Sequence, residues 1–270
     1  MKSFSIKGVM LILCFAPLVS NAQFLKKLQK KVENTVESTV DNVLDEDSNS
    51  SQKSQEGTGK GASPIEETYD FVALDSLIFY ENFALEKNGR MPSHWKSNLG
   101  GSIVEIPAER GKWLKLNAGA VYRIDSLLQL PENFTVEFEL ITRSESAEDI
   151  GAMQFGFSRD NSAKDYIRDA YNDNAITCTR LHFHNQDIVN ASSDSDVSNN
   201  TNFPLANYSN STLPVAISVE GQLMVLYIDN KKILETKMFA KGTNKYFYIS
   251  APYKYDVDAA VYFGNVRIAR

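Results

Sequence analysis

Apolar and polar residues alternate with a period of two along most of the last third of this chain. Val215 to Glu220 leads through Gly221 into Gln222 to Ile228, and Asp229-Asn230 then turns into Lys231 to Glu235. The chain closes with a similar run from Ala260 to Ile268. β-Branched and aromatic residues at alternate positions, punctuated by Asn, Asp and Gly, predict strands joined by tight antiparallel turns.

The same pattern extends upstream. It predicts strands over Leu77 to Phe83, Ser102 to Ile106, Lys112 to Asn117, Ala120 to Ile124 and Phe134 to Thr142. Further strands are expected over Gly151 to Ser158, Ala175 to His184 and Lys245 to Ala251. Within Phe134 to Leu140, Phe134, Val136, Phe138 and Leu140 share one side, while Thr135, Glu137 and Glu139 share the other. Such a strand has one dry and one wet face. The polar stretch Asp160 to Asn174 reads as an open loop or short helix, and the Asn-, Asp- and Ser-rich stretch Asn185 to Asn210 as a long exposed connection. Residues 69–270 are therefore expected to form an all-β domain, an antiparallel two-sheet sandwich of jelly-roll type.

Three different patterns precede it. Residues 1–22 read as a secretory leader, with Lys2 and Lys7 ahead of the apolar run Val9 to Leu18 and small residues at Ser20 and Ala22. That run is too short to span a membrane. Cys14 offers a second reading as a lipid anchor, although Leu13 stands where such a site wants a small residue. In residues 23–46, Leu25, Leu28, Val32, Val36, Val40 and Val43 recur every three or four positions, the stripe of an amphipathic helix. Lysines crowd its start and acids its end, so both termini oppose the helix dipole. It is marginal alone, and self-association or docking on a surface is expected of it. Residues 47–68 are rich in Ser and Gly and read as a flexible linker.

Charge and cysteine content narrow the partners. The net charge is −6, and it becomes more negative if Lys2 and Lys7 leave with the leader. That balance gives no electrostatic footprint for nucleic acid. With Cys14 removed, Cys178 is left without a disulfide partner, so the domain relies on its core. Its place in an alternating run makes it a buried small hydrophobe.

Three segments also resemble a known fold family. Leu77 to Phe83 followed by Met91-Pro92-Ser93-His94-Trp95, the run Gly111 to Leu116, and Leu130 to Phe138 are similar to the opening of concanavalin A-like, laminin-G-like sandwiches. The version resembled stands N-terminal to the peptidoglycan-binding domain in a group of OmpA-family proteins of Gram-negative bacteria. Their sandwich ends in a segment similar to Phe263 to Ala269. The resemblance implies an exported protein, periplasmic or associated with the outer membrane or cell surface. This sequence ends at Arg270, where the OmpA domain would follow, so peptidoglycan anchoring through that domain does not carry over. No family active-site residue maps onto this chain.

Several constellations are candidates for chemistry. Tyr246 and Tyr248 share a strand face, and Tyr253 and Tyr255 follow the turn at Pro252, so these four rings are candidates for a sugar-stacking platform. Core packing is the competing reading of the same rings. His182 and His184 fall on one face of a predicted strand and are weak metal candidates, lacking a third ligand. Asp194-Ser195-Asp196 offers oxygens for Ca2+ but lacks the spacing and Gly of a defined calcium loop; no cofactor is otherwise indicated. Glu137 and Glu139 share a face as a glycosidase pair would, yet also read as solvent-facing charge on a half-buried strand.

The expectation from sequence is a non-catalytic envelope protein whose sandwich binds a glycan or a protein partner. The alternatives are a glycoside hydrolase acting through Glu137 and Glu139, and a structural protein with no small ligand.

Overall fold

A computed structural model describes residues 69–172 and 174–270. The leader, helix and linker expected over residues 1–68 lie outside the described residues. The described chain is an antiparallel β-sandwich of two sheets.

The first sheet contains β1 (Leu77–Glu81), β3 (Gly101–Val104), β4 (Trp113–Leu116), β6 (Asn133–Arg143), β11 (Thr212–Glu220), β12 (Leu223–Ile228), β13 (Lys231–Lys237) and β15 (Ala260–Ala269). Its order is β13-β12-β11-β6-β15-β4-β3, with β1 also paired to β15. The second sheet contains β2 (Trp95–Ser97), β5 (Val121–Ile124), β7 (Met153–Ser158), β8 (Ala175–His182), β9 (Asp187–Ser192), β10 (Ser198–Asn202) and β14 (Tyr246–Ser250). Its order is β10-β9-β8-β7-β14-β5-β2. Neighbours in both sheets come from distant parts of the sequence, so the sandwich is stitched by long-range pairing rather than by hairpins alone.

Local chemistry explains the turns. Asp229 and Asn230, with φ of 49° and 60°, form the two-residue connection between β12 and β13. Asp and Asn tolerate the left-handed region that such a hairpin requires. Between the sheets, the alternation on β6 delivers its apolar face to the second sheet. Phe138 meets Phe155 edge-on at 5.1 Å between ring centroids, and Phe134 meets Phe157 at 5.3 Å. Phe247 and Phe263 lie against the same Phe138 ring. Each buried aromatic contributes roughly 1.5–3 kcal/mol through area removed from water.

Three expectations change. Asn185 to Asn210 is not an open connection, because it carries β9 and β10 and a short 3-10 turn at Leu205–Tyr208. Its polar residues mask the strands: Asn190 is fully buried on β9, and its Oδ1 accepts from the Thr179 hydroxyl at 2.8 Å. The short β2 is an added strand, paired with β5. β8 stops at His182, so the alternation expected to carry His184 ends two residues early.

The stretch from Arg159 to Asn174 has no helix among its described residues and forms a loop across the outer face of the second sheet. Two apolar residues pin it there. Ile167 packs with Val121, Ala175 and Tyr248, and Ala170 packs with Cys178 and Ala191. Polar ties hold its start: Arg123 Nη1 donates to the Asp160 carbonyl at 3.1 Å, and Asn161 Nδ2 donates to the Ile124 carbonyl at 2.9 Å. Among the described residues, no helix is long and apolar enough to cross a membrane.

Candidate functional site

The loop does not cover the whole outer face. Beside it opens a cavity of about 400 Å³. Its floor comes from β7 and β8, where Gln154 and Arg180 are direct register partners and His182 follows two residues along. Residues two apart on a strand share a face, so Arg180 and His182 rise from the same side. Tyr166 and Arg168 of the loop form one wall, and Tyr253 and Lys254, just after β14, form the other.

Close backbone approach brings the second wall in. Ile150 bridges Tyr255, and a Cβ at Gly151 would sit 2.8 Å from the Lys254 carbonyl oxygen. Only glycine lets the two segments meet at that separation.

Hydrogen bonds hold Gln154 and Tyr166 in place. Gln154 Nε2 donates to the Tyr166 hydroxyl at 2.8 Å and to the Ile167 carbonyl at 3.0 Å. The Tyr166 hydroxyl in turn donates to the Ala251 carbonyl at 2.8 Å. That chain of donors fixes the amide orientation and leaves Gln154 Oε1, which is buried, with no partner in the protein. A buried acceptor without a donor costs about 1–3 kcal/mol, a cost that a hydroxyl or N–H reaching it would relieve. Arg180 Nη2 donates to the Arg168 carbonyl, tying floor to wall. His182 Nδ1 lies 2.6 Å from Asp187 Oδ1, which leaves Nε2 as its other polar atom. Tyr253 is 68% exposed, edge-on to Tyr166 at 5.8 Å between centroids. Burial pushes the Tyr166 phenol up to about 12, so it stays a neutral donor across the physiological range.

The four candidate tyrosines are not brought together. Tyr253 lines the cavity. Tyr248 has no exposed surface, because Ile167 of the loop lies on it and its hydroxyl donates to the Thr177 carbonyl at 2.9 Å. Tyr255 turns inward, packs on the main core and donates to the Leu116 carbonyl at 3.1 Å. Tyr246 is half-buried at the start of β14 and is not part of the cavity lining. One ring of the expected platform faces the cavity; the loop and the core claim two others.

His182 and His184 have separate acidic partners. His184 lies in the turn after β8, exposed, with Glu148 4.0 Å away, while His182 bonds Asp187. Asp194 spends its carboxylate on protein donors: the Ala240 N–H at 2.9 Å, the Thr243 hydroxyl at 2.8 Å and the Arg159 guanidinium. With Ser195 and Asp196 in the same turn, it closes loops and faces a cation rather than calling for one. One group of three potential ligands does gather among the described residues, namely Glu81, Glu86 and His94. Glu81 accepts from the Phe83 N–H at 2.8 Å and lies 2.9 Å from His94 Nδ1, while Glu86 accepts from the Ser93 hydroxyl at 2.6 Å. Protein donors engage both carboxylates, as in a loop-closing network.

Glu137 and Glu139 line a different cavity, of about 340 Å³, on the outer face of the first sheet with Tyr69, Tyr80 and Tyr227. Glu137 pairs with its register partner Arg267 at 3.0 Å, and Glu139 accepts from Asn265. Cys178 is buried, and burial pushes its thiol up to about 11, which argues against a nucleophile.

Sequence reasoning missed Gln154, Tyr166, Arg168, Arg180 and Lys254. Two of them left a trace. Gln154 is the polar residue in the run Met153 to Phe157, and Arg180 stands in phase with His182.

No protein-family model matches the chain, and no curated protein matches it by sequence. Solved structures do resemble it. A carbohydrate-binding module, CBM66 from Bacillus subtilis, aligns at 12% identity and a TM-score of 0.45, over 68% of this chain and 99% of that one. The exoplasmic/lumenal domain of VIP36, in a Ca2+/Man2-bound form, aligns at 10% identity and a TM-score of 0.49, over 70% of this chain and 86% of that one. A sialidase aligns at 16% identity and a TM-score of 0.47, over 72% of this chain but 18% of its own. The sandwich assignment stands on the strand pairing above.

Proposed function

We propose that the sandwich is a non-catalytic saccharide-binding domain whose site is the cavity between the 159–174 loop and the segment after β14. The observation that carries this reading is the pairing of one exposed ring, Tyr253, with one buried unpartnered acceptor, Gln154 Oε1. A sugar ring offers an apolar face for the first and a hydroxyl donor for the second. Donors on Arg168, Arg180 and Lys254 supply the remaining polar edge. Gln154 and Tyr166 are already held by hydrogen bonds, so these two groups lose little freedom on binding.

Export by residues 1–22, an envelope setting like that of the OmpA-family proteins it resembles, and self-association through residues 24–46 belong to this proposal as its setting. A hydrolase reading retains one observation, that Glu137 and Glu139 line a cavity. Their cross-strand partners Arg267 and Asn265 account for them as structural pairs.

The test is a glycan array probed with the full chain and with Tyr253→Ala. Retention of one glycan class by the parent and its loss in the variant supports the reading. Failure of the parent to retain any glycan defeats it, as does turnover of a bound glycan that stops in Glu137→Gln.

A further inference from the structure

The charged residues lining the cavity are all basic or imidazole. Arg168, Arg180, His182 and Lys254 line it, and no Asp or Glu does. The chain as a whole carries 34 acidic against 28 basic residues. Three other cavities among the described residues all include carboxylates: Glu137 and Glu139 in one, Glu132 in the second, Glu145 and Asp258 in the third.

The pairing within the cavity is also uneven. Lys254 has Asp256 at 2.7 Å, and His182 has Asp187. Neither Arg168 nor Arg180 makes an ion pair among the described residues. The adjacent Asp169 does not serve them; it accepts from the Tyr171 N–H at 2.8 Å and from Asn172 at 3.1 Å. The Arg180 guanidinium instead donates to the Arg168 backbone carbonyl. That bond draws the stem of one arginine to the head of the other, and it uses one of the five donors that Arg180 carries. The Arg168 guanidinium lies over the Tyr253 ring, 5.9 Å from its centroid. Both arginines line the cavity without an acidic partner, so an anion entering it is attracted to each.

We propose that the saccharide taken by this cavity is acidic, with the carboxylate of a hexuronic acid received by Arg168 and Arg180. The inference rests on the saccharide-binding reading above and adds the ligand's charge. A guanidinium fork matches the two coplanar oxygens of a carboxylate. Gln154 Oε1 is an acceptor and takes a neighbouring hydroxyl of the same sugar, while the Tyr253 ring takes its apolar face. The site thereby divides one ligand into three chemically distinct edges.

The experiment titrates the full chain with oligomers of galacturonate, glucuronate and mannuronate, each beside its methyl ester, and with a sulfated galactan. The methyl ester keeps the ring and hydroxyls and removes only the charge. We expect at least one acid to bind roughly tenfold or more tightly than its ester, since charge-assisted hydrogen bonds are the stronger kind. That preference falls as salt rises. In Arg180→Gln and in Arg168→Gln the acid-to-ester ratio collapses towards one. Should a variant fail to fold, the salt dependence of the parent's acid-to-ester ratio gives the same answer. Equal affinity for acid and ester, or binding of the sulfated galactan alone, overturns the uronate assignment and leaves saccharide binding standing. No binding to any saccharide, on this panel or on the array, defeats both.

Discussion

Gln154 Nε2 and the Tyr166 hydroxyl, 2.8 Å apart, join the floor of the cavity to its wall. The first belongs to a paired strand and the second to a loop with no regular structure of its own. The bond continues into the Ala251 carbonyl, so strand, loop and the segment after β14 form one network. Tyr166→Phe leaves the Ala251 carbonyl and one Gln154 proton without partners. We expect a loss of about 1–2 kcal/mol, read as a lower urea midpoint at unchanged slope. An unmoved midpoint would mean that the network contributes nothing to holding the wall.

Tyr253 and Tyr248 share a residue type and a place near the same turn, yet the structure gives them opposite roles. Tyr253→Ala removes an exposed ring and should leave the thermal midpoint within a degree or two, while saccharide affinity falls by about tenfold, the size of effect usual for a stacking ring. Tyr248→Ala removes a fully buried ring from beneath the loop and should cost about 3–5 kcal/mol, by analogy with other buried aromatics. Thermal melts of both proteins, paired with a binding titration of the first, separate the roles. A Tyr248→Ala protein as stable as the parent would show that the loop does not need that ring.

Period-two alternation made most of the sandwich legible, because strands buried on one face write their burial into the sequence. The turn at Asp229-Asn230 was legible for the same local reason. β9 and β10 were not. The covered positions of β9 hold Asn190 and Ser192, which hydrogen-bond the Thr179 hydroxyl and the Met238 carbonyl, and β10 is polar with no buried position. Polar residues that bury by pairing look like loop in a one-dimensional pattern. The cavity was half legible. Tyr253 and His182 could be picked as candidates, but their meeting depends on how residues 159–174 cross the sheet. That path is set by Ile167 and Ala170, two small pins in a polar stretch with no periodicity. The same crossing buries Tyr248, which sequence grouped with Tyr253.

At Gly156 the backbone of β8 lies too close to β7 to admit a side chain. A Cβ there would stand 2.9 Å from the Thr177 carbonyl carbon and nearer still to its oxygen. Backbone atoms in the middle of a paired sheet cannot retreat as a flexible side chain would. Gly156→Ala should therefore destabilise the domain by about 1–3 kcal/mol, the range for overpacking. It should also displace Gln154 and Arg180, and so weaken saccharide binding. A denaturant titration checks the first effect. A variant with parental stability would show that β8 can shift at this position without penalty.

Tyr122 gives a prediction at alkaline pH. It is fully buried on β5, accepts from the Asn117 N–H at 2.7 Å and donates to the Gly100 carbonyl at 2.7 Å. Burial pushes its phenol from the ordinary 10.0 up to about 12. The folded chain therefore keeps a proton that the unfolded chain gives up between those values. Folding stability is fully present below pH 10 and falls as pH rises through about 12, because the unfolded state binds fewer protons in that window. A shift of this size corresponds to roughly 2–3 kcal/mol for one group. Tyr166, also raised to about 12, adds to the same decline. Denaturant midpoints measured across pH 10 to 12 should drop steeply for the parent and less steeply for Tyr122→Phe, which has no phenolic proton to lose. The comparison is between slopes, since the variant starts lower for want of two hydrogen bonds. Identical slopes would place the alkaline sensitivity elsewhere in the sandwich.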